Sequence, residues 1–204
     1  MKFTLEEYNQ MLTRRAGWDK SGARSHNLPN ANKGKAKAKA GTRLGEPGYS
    51  SPHALALAAL VKDPGLLERN HEHYAQVRVM DWAERYEPEL YDHISAVPNG
   101  GQRHKKTAAD LKAEGVKSGY PDLIVDCPAG AYHGARVEMK ANGGKPSETQ
   151  ITMLRRLAAR GYRCALCDGA EEAIAFLKDY IALQPGELLP YGERDRLWLP
   201  ETGE

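Results

Sequence analysis

Between Pro121 and Gln150 the chain sets two short apolar runs around a cluster of turn residues and then opens a helix, an order that leaves few foldings open. Leu123 to Cys127 is a strand run, and Pro128-Ala129-Gly130 turns the chain. Ala135 to Ala141 is the next strand, and Gly143-Gly144 turns it again. So short a connection predicts an antiparallel hairpin rather than a crossover. Ser147 to Arg160 then has helical spacing, with Ser147 as N-cap and Gln150 at the third helical position of a capping box. Gly161 supplies the stop.

The flanks extend this pattern. Residues 70–86 read as a helix, with Tyr74, Val77 and Trp82 among its apolar positions and Pro88 just beyond its end. His93 to Val97 is a short strand, stopped by Pro98-Asn99-Gly100-Gly101, and Thr107 to Glu114 is a helix ended by Gly115. Tyr162 to Cys167 is a strand, and Ala170 to Ile181 a last amphipathic helix. The expected fold is α/β, a mixed central β-sheet flanked by helices.

A compact body therefore spans about residues 70–181. Residues 1–69 form an N-terminal extension: a helix from Thr4 to about Arg15, a basic flexible segment over about 17–51, and an Ala/Leu-rich helix from Pro52 to Val61. Residues 182–204 are a tail rich in prolines and aromatics, suited to pack against the body or a partner subunit.

Charge is uneven along the chain. Residues 1–69 hold 12 Lys and Arg against 6 Asp and Glu, whereas residues 70–204 hold 17 against 21. No acid occurs between Lys20 and Arg43, a stretch that includes Lys33, Lys35, Lys37 and Lys39. Such a segment is too polar to fold alone and suits either a solvated tether or phosphate binding. No apolar run approaches the ~18 residues of a membrane span. Glu6 and Glu7 stand where a signal peptide would be apolar, so a cytoplasmic or nucleoid protein is expected. Three cysteines make no disulfide framework. Cys164-x-x-Cys167 lies on a strand, where residues three apart face opposite ways, so two half-buried structural cysteines are expected rather than a zinc or redox pair.

Glu138 and Lys140 sit two apart on one strand and share a face, and Asp122 opens the neighbouring strand within reach of it. Paired carboxylates are unfavourable without a counter-charge, so either Lys140 or a metal compensates them. An oxygen-rich site of this kind suits Mg²⁺ or Mn²⁺ beside a phosphodiester. The competing reading is a salt-bridge ladder on an exposed strand.

Here the chain resembles a known family. Pro98-Asn99-Gly100-Gly101-x-Arg103, Leu111-Lys112-Ala113-Glu114-Gly115-Val116-Lys117-x-Gly119-x-Pro121-Asp122-Leu123, Gly134, Glu138-x-Lys140, Ser147-x-x-Gln150 and Gly161-Tyr162 look like a stand-alone VRR-NUC domain. Such domains occur in bacteriophages and prophages and belong to the PD-(D/E)xK nuclease superfamily. The resemblance covers about residues 70 to 181 and implies a restriction-endonuclease-like core. It also implies Asp122 and Glu138 as metal ligands, the Met139 backbone carbonyl beside them, Lys140 as the catalytic lysine, and Gln150 next to that lysine. A family glutamate on the first helix is matched by Glu72, with Glu68 and Glu84 as rivals.

Lys145 precedes a helix start, where amides and a lysine can receive phosphate. Asn99 and Gly100, followed by Arg103 and Lys105, suit a loop on the DNA backbone. His71 and His73 flank Glu72 without forming H-E-x-x-H and read as ordinary helix histidines.

The expectation is a Mg²⁺- or Mn²⁺-dependent DNA endonuclease. The resemblance suggests branched or flap DNA and a homodimer, whose two-fold symmetry would suit a four-way (Holliday) junction. The rivals are a DNA-end or single-strand nuclease of replication or repair, and a non-catalytic DNA-binding or packaging accessory.

Overall fold

In the computed structural model, residues 43–46, 48–97 and 110–199 are described. The expected helix at 4–15 and the candidate contacts Lys35, Lys37, Asn99, Gly100, Arg103 and Lys105 lie outside these residues. Helices α1 (Pro52–Lys62), α2 (Gly65–Arg69), α3 (His71–Tyr86) and α4 (Pro88–Tyr91) precede strand β1 (Ile94–Ala96). A helical turn at 110–113 leads to strands β2 (Leu123–Val125) and β3 (Ala135–Lys140). Then come α5 (Glu148–Ala158), β4 (Arg163–Asp168), α6 (Gly169–Ile181) and a 3₁₀ helix, η1 (Arg194–Trp198).

The sheet is mixed, with strand order β1-β2-β3-β4. β1 pairs with β2 and β2 with β3 antiparallel, so the expected hairpin forms, with Leu123 opposite Val137. β3 and β4 are parallel, with Glu138 opposite Leu166 and Lys140 opposite Asp168. Helix α5 makes the crossover that a parallel pair needs.

Local chemistry sets the helix ends. Ser51 caps α1 by accepting the Ala54 amide, with Pro52 filling the first helical position, where a missing N–H costs nothing. Asn70 caps α3, and Ser147 with Gln150 closes the capping box that opens α5. The segment before α1 is fixed to the body, because Tyr49 and Ser51 hydroxyls both donate to the buried carboxylate of Glu84 on α3.

Two cores cover the two faces of the sheet. The larger joins Val79 and Trp82 of α3 and Leu177 of α6 to Leu123, Val137 and Met139. The smaller joins Leu154 of α5, Cys164 and Leu166 of β4, and Trp198. Leu123, Leu154 and Leu177 are fully buried, each worth about 1.5–3 kcal/mol relative to exposure. The two cysteines face opposite cores, as strand spacing requires, but both are fully rather than half buried, because both faces of β4 are covered.

Candidate active site

β3 is buried at every position. Glu138 has 0% of its surface exposed, which rules out the solvent-exposed salt-bridge ladder. Val137 and Met139 point into the larger core, which turns Glu138 and Lys140 to the other face of the strand. Lys140 Nζ donates to Glu138 Oε1 at 2.6 Å and to the Met139 carbonyl at 3.1 Å. Asp122, at the start of β2, reaches across the ladder and accepts the Met139 amide on Oδ2 at 2.9 Å.

Gln150 makes contacts on two sides. Its Oε1 accepts the Ser147 amide at 2.7 Å within the capping box, and its Nε2 donates to Glu138 Oε1. Glu72, in the first turn of α3 and more than half exposed, has Oε1 4.0 Å from Lys140 Nζ. The rival Glu84 is committed to Tyr49 and Ser51 instead. Lys145 is exposed in the loop before α5.

One oxygen of this cluster has no hydrogen-bond partner among the described residues. Glu138 Oε2 is buried without one, a costly state for a carboxylate. Burial pushes the Glu138 carboxyl up to about 7; the charge of Asp122 pushes the same way, and Lys140 opposes both. Glu138 thus has Lys140 as its ion-pair partner and the charge of Asp122 close by, and the group has unused acceptor capacity for a cation. Among the described residues, no three His, Cys, Asp or Glu side chains are gathered into a ready-made metal cage.

Gly119, one residue of the family-like motif, is a further determinant. At φ +75°, its missing Cβ would lie 2.6 Å from the Thr149 carbonyl carbon and 2.9 Å from the Gln150 amide nitrogen. The turn that delivers Pro121-Asp122 therefore lies directly on the first turn of α5. Asp168, at the end of β4, accepts the Gly143 amide at 2.7 Å and so fixes the turn that follows Lys140. Both contacts join distant segments, and no local pattern in one sequence signals them.

A mixed sheet with acids and a lysine gathered at the start of β2 and along β3 defines a nuclease-type fold of the PD-(D/E)xK superfamily. The sequence model of the VRR-NUC domain matches residues 62–171, just over half the chain. A solved structure of a "VRR_NUC domain protein" is similar at 36% identity with a TM-score of 0.50, covering 56% of this chain and 90% of that one. None of the curated proteins matches the chain. The chain belongs to the VRR-NUC domain family, which implies nuclease-type processing of DNA. Nucleases of this family typically need divalent metals. No helix among the described residues is long and apolar enough to cross a membrane.

Proposed function

We propose that this protein is a Mg²⁺- or Mn²⁺-dependent DNA endonuclease, selective for branched, junction or flap DNA, that acts as a homodimer in the cytoplasm of a bacterial host. The observation that carries the metal reading is the buried, unpartnered Glu138 Oε2 beside Asp122. The donors fit such an ion: two carboxylates and the Met139 carbonyl are hard oxygen ligands, and Mg²⁺ commonly uses only one or two protein carboxylates, with water and phosphate completing its shell. Asp122, Glu138 and the Met139 carbonyl would hold the ion, with Glu72 entering from α3. When bound, it supplies charge neutralisation and Lewis acidity at the scissile phosphate.

The chain's own groups have separate tasks in this reading. Lys140 keeps a cationic Nζ at the reacting phosphate, where it orients the attacking water and offsets developing charge. Gln150 fixes the Glu138 carboxylate through Oε1, which leaves Oε2 for the ion. Lys145, with Asn99, Gly100, Arg103, Lys105, Lys35 and Lys37, contacts the DNA backbone. Residues 70–181 are the nuclease domain, 1–69 carry the basic arm, and 182–204 are the tail.

The test incubates purified protein with labelled four-way junction, flap, duplex and single-stranded DNA, with Mg²⁺, Mn²⁺ or EDTA. Metal-dependent cutting that Lys140→Ala loses is the expected result, and the preferred substrate separates junction cleavage from end processing. Binding without cutting on every substrate would overturn the reading in favour of an accessory protein.

A further inference from the structure

We infer that the segment from Pro190 to Leu199, beyond the residues matched by the family model, is a strap that sets the geometry of the site, with Arg194 and Asp195 as positioning residues. This inference rests on the nuclease reading above. β4 is an edge strand, and an edge presents unpaired backbone groups that must be covered. The strap covers part of it and is held by three attachments, each leading to a different part of the site.

The first attachment is at the strand. Asp195 is buried; its Oδ1 accepts the Leu166 amide at 3.1 Å, and its Oδ2 accepts Arg163 Nη2 at 3.2 Å. Arg163 also donates to the Pro190 carbonyl at 2.7 Å and stacks over the Tyr191 ring. Leu166 is the residue opposite Glu138 in the β3–β4 ladder, so the Asp195 carboxylate fixes the neighbour of Glu138 from the far side.

The second is at the helix. Trp198 is fully buried against Leu154 and Leu166. Leu154 lies one turn beyond Gln150 on α5, and Arg155 of the same helix donates to the Leu197 carbonyl at 3.3 Å. The helix that carries Gln150 is thereby held between the sheet and the strap.

The third is at the turn after Lys140. Arg194 pairs with Glu172 and lies 3.9 Å from Asp168 Oδ2. Glu172 also accepts the Asp168 amide, and Asp168 Oδ2 accepts the Gly143 amide at 2.7 Å. Asp168 is the register partner of Lys140. A chain of ionic hydrogen bonds thus runs from the strap through Asp168 to the turn behind the lysine.

The test uses the full chain and the surface-accessible Arg194, as Arg194→Ala and the conservative Arg194→Lys. Amide hydrogen exchange of peptides covering 141–150, cleavage kinetics and DNA affinity without divalent cation are measured well below the melting temperature. Arg194→Ala is expected to exchange faster across 141–150 and to lose about tenfold in kcat. Its KM, DNA affinity and melting temperature stay near those of the parent, and Arg194→Lys recovers most of the lost rate. Unaltered exchange across 141–150 would overturn the strap. So would a rate loss that merely tracks a loss of folded protein, or an Arg194→Lys no better than alanine. If the parent protein cuts no DNA under any condition, the nuclease reading has failed, and hydrogen exchange alone judges the strap.

Discussion

Gln150 ties the first turn of α5 to Glu138: its Nε2 donates to Glu138 Oε1, while its own Oε1 accepts the Ser147 amide at 2.7 Å. A residue expected from local pattern as a helix cap is thereby also the group that orients the buried carboxylate. The two tasks separate by substitution. Gln150→Glu keeps an acceptor for the Ser147 amide but sets a second acid against Glu138, and cleavage is expected to fall at least about tenfold. Ser147→Ala removes the cap, costs about 1 kcal/mol of stability and leaves most of the activity. Thermal melting and initial rates measured together check both; a fully active Gln150→Glu would remove Gln150 from the site.

Lys140 is the counter-charge nearest Glu138, and no other cation among the described residues contacts that carboxylate. Lys140→Ala and Asp122→Asn are each expected to abolish cleavage, a loss of at least about a hundredfold. Far-ultraviolet circular dichroism and junction-DNA binding stay close to the parent, because a Glu138 carboxyl already raised to about 7 takes a proton once the lysine is gone, and Asp122→Asn keeps a side-chain oxygen to accept the Met139 amide. Cleavage at the parent rate in either variant would sink the site assignment.

Gly119 and Gly115 both have positive φ, yet they predict different outcomes. A Cβ at Gly115 meets nothing within 4 Å, so Gly115→Ala carries only the backbone penalty of a left-handed residue, about 1 kcal/mol. A Cβ at Gly119 runs into the backbone of Thr149 and Gln150 at under 3 Å, so that backbone must shift. Gly119→Ala is expected to destabilise by about 2–4 kcal/mol and to cut activity further than its folded fraction explains, since Asp122 and Gln150 move apart. Denaturant titration with specific activity checks this. Equal stability of the two variants would show that α5 yields at no cost.

Much of this arrangement was legible in the chain. The succession of elements, the hairpin and the capping box follow from apolar runs, turn residues and a local hydrogen-bond pattern, and those are properties of neighbours in sequence. The alternation Val137-Glu138-Met139-Lys140 reads equally well as a half-exposed strand, whereas β3 is buried at every position and the neighbouring β4 is covered by a second core. That core depends on Trp198, roughly sixty residues away, and no pattern at Glu138 announces it. The half-buried reading of Cys164 and Cys167 fails for the same reason. Gly119 against Thr149 is likewise a contact between backbones, and backbone contacts leave almost no mark on residue choice beyond a glycine.

The cysteines offer a chemical test of the two-core arrangement. Burial pushes the thiols of Cys164 and Cys167 up to about 12, so neither forms appreciable thiolate at mildly alkaline pH. Cys127 is half-buried and its thiol is raised as well, first by burial and then by Glu89. Alkylation of the folded protein is expected to modify Cys127 first, with Cys164 and Cys167 reacting only on unfolding, as mass spectrometry of the labelled peptides reports. Prompt labelling of Cys164 would mean that α5 and the tail open readily from the sheet.

Glu84 anchors the segment before α1, and this contact has a defined pH dependence. Burial raises its carboxyl, but the hydrogen bonds from Ser51 and Tyr49 pull the other way and hold it below the ordinary carboxylate value. A depressed folded-state pKa means that the charged form stabilises the fold. The contribution is complete above the ordinary glutamate value of about 4.3 and is lost as pH falls through the lower folded-state value. Tyr49→Phe removes one charge-assisted bond and is expected to cost about 1.5–3 kcal/mol at neutral pH. Its difference from the parent shrinks on acidification, because protonated Glu84 no longer offers the same acceptor. Denaturant melts of the two proteins across the acid range check the sign: a gap that widens towards low pH would show that Tyr49 donates to something other than a charged Glu84.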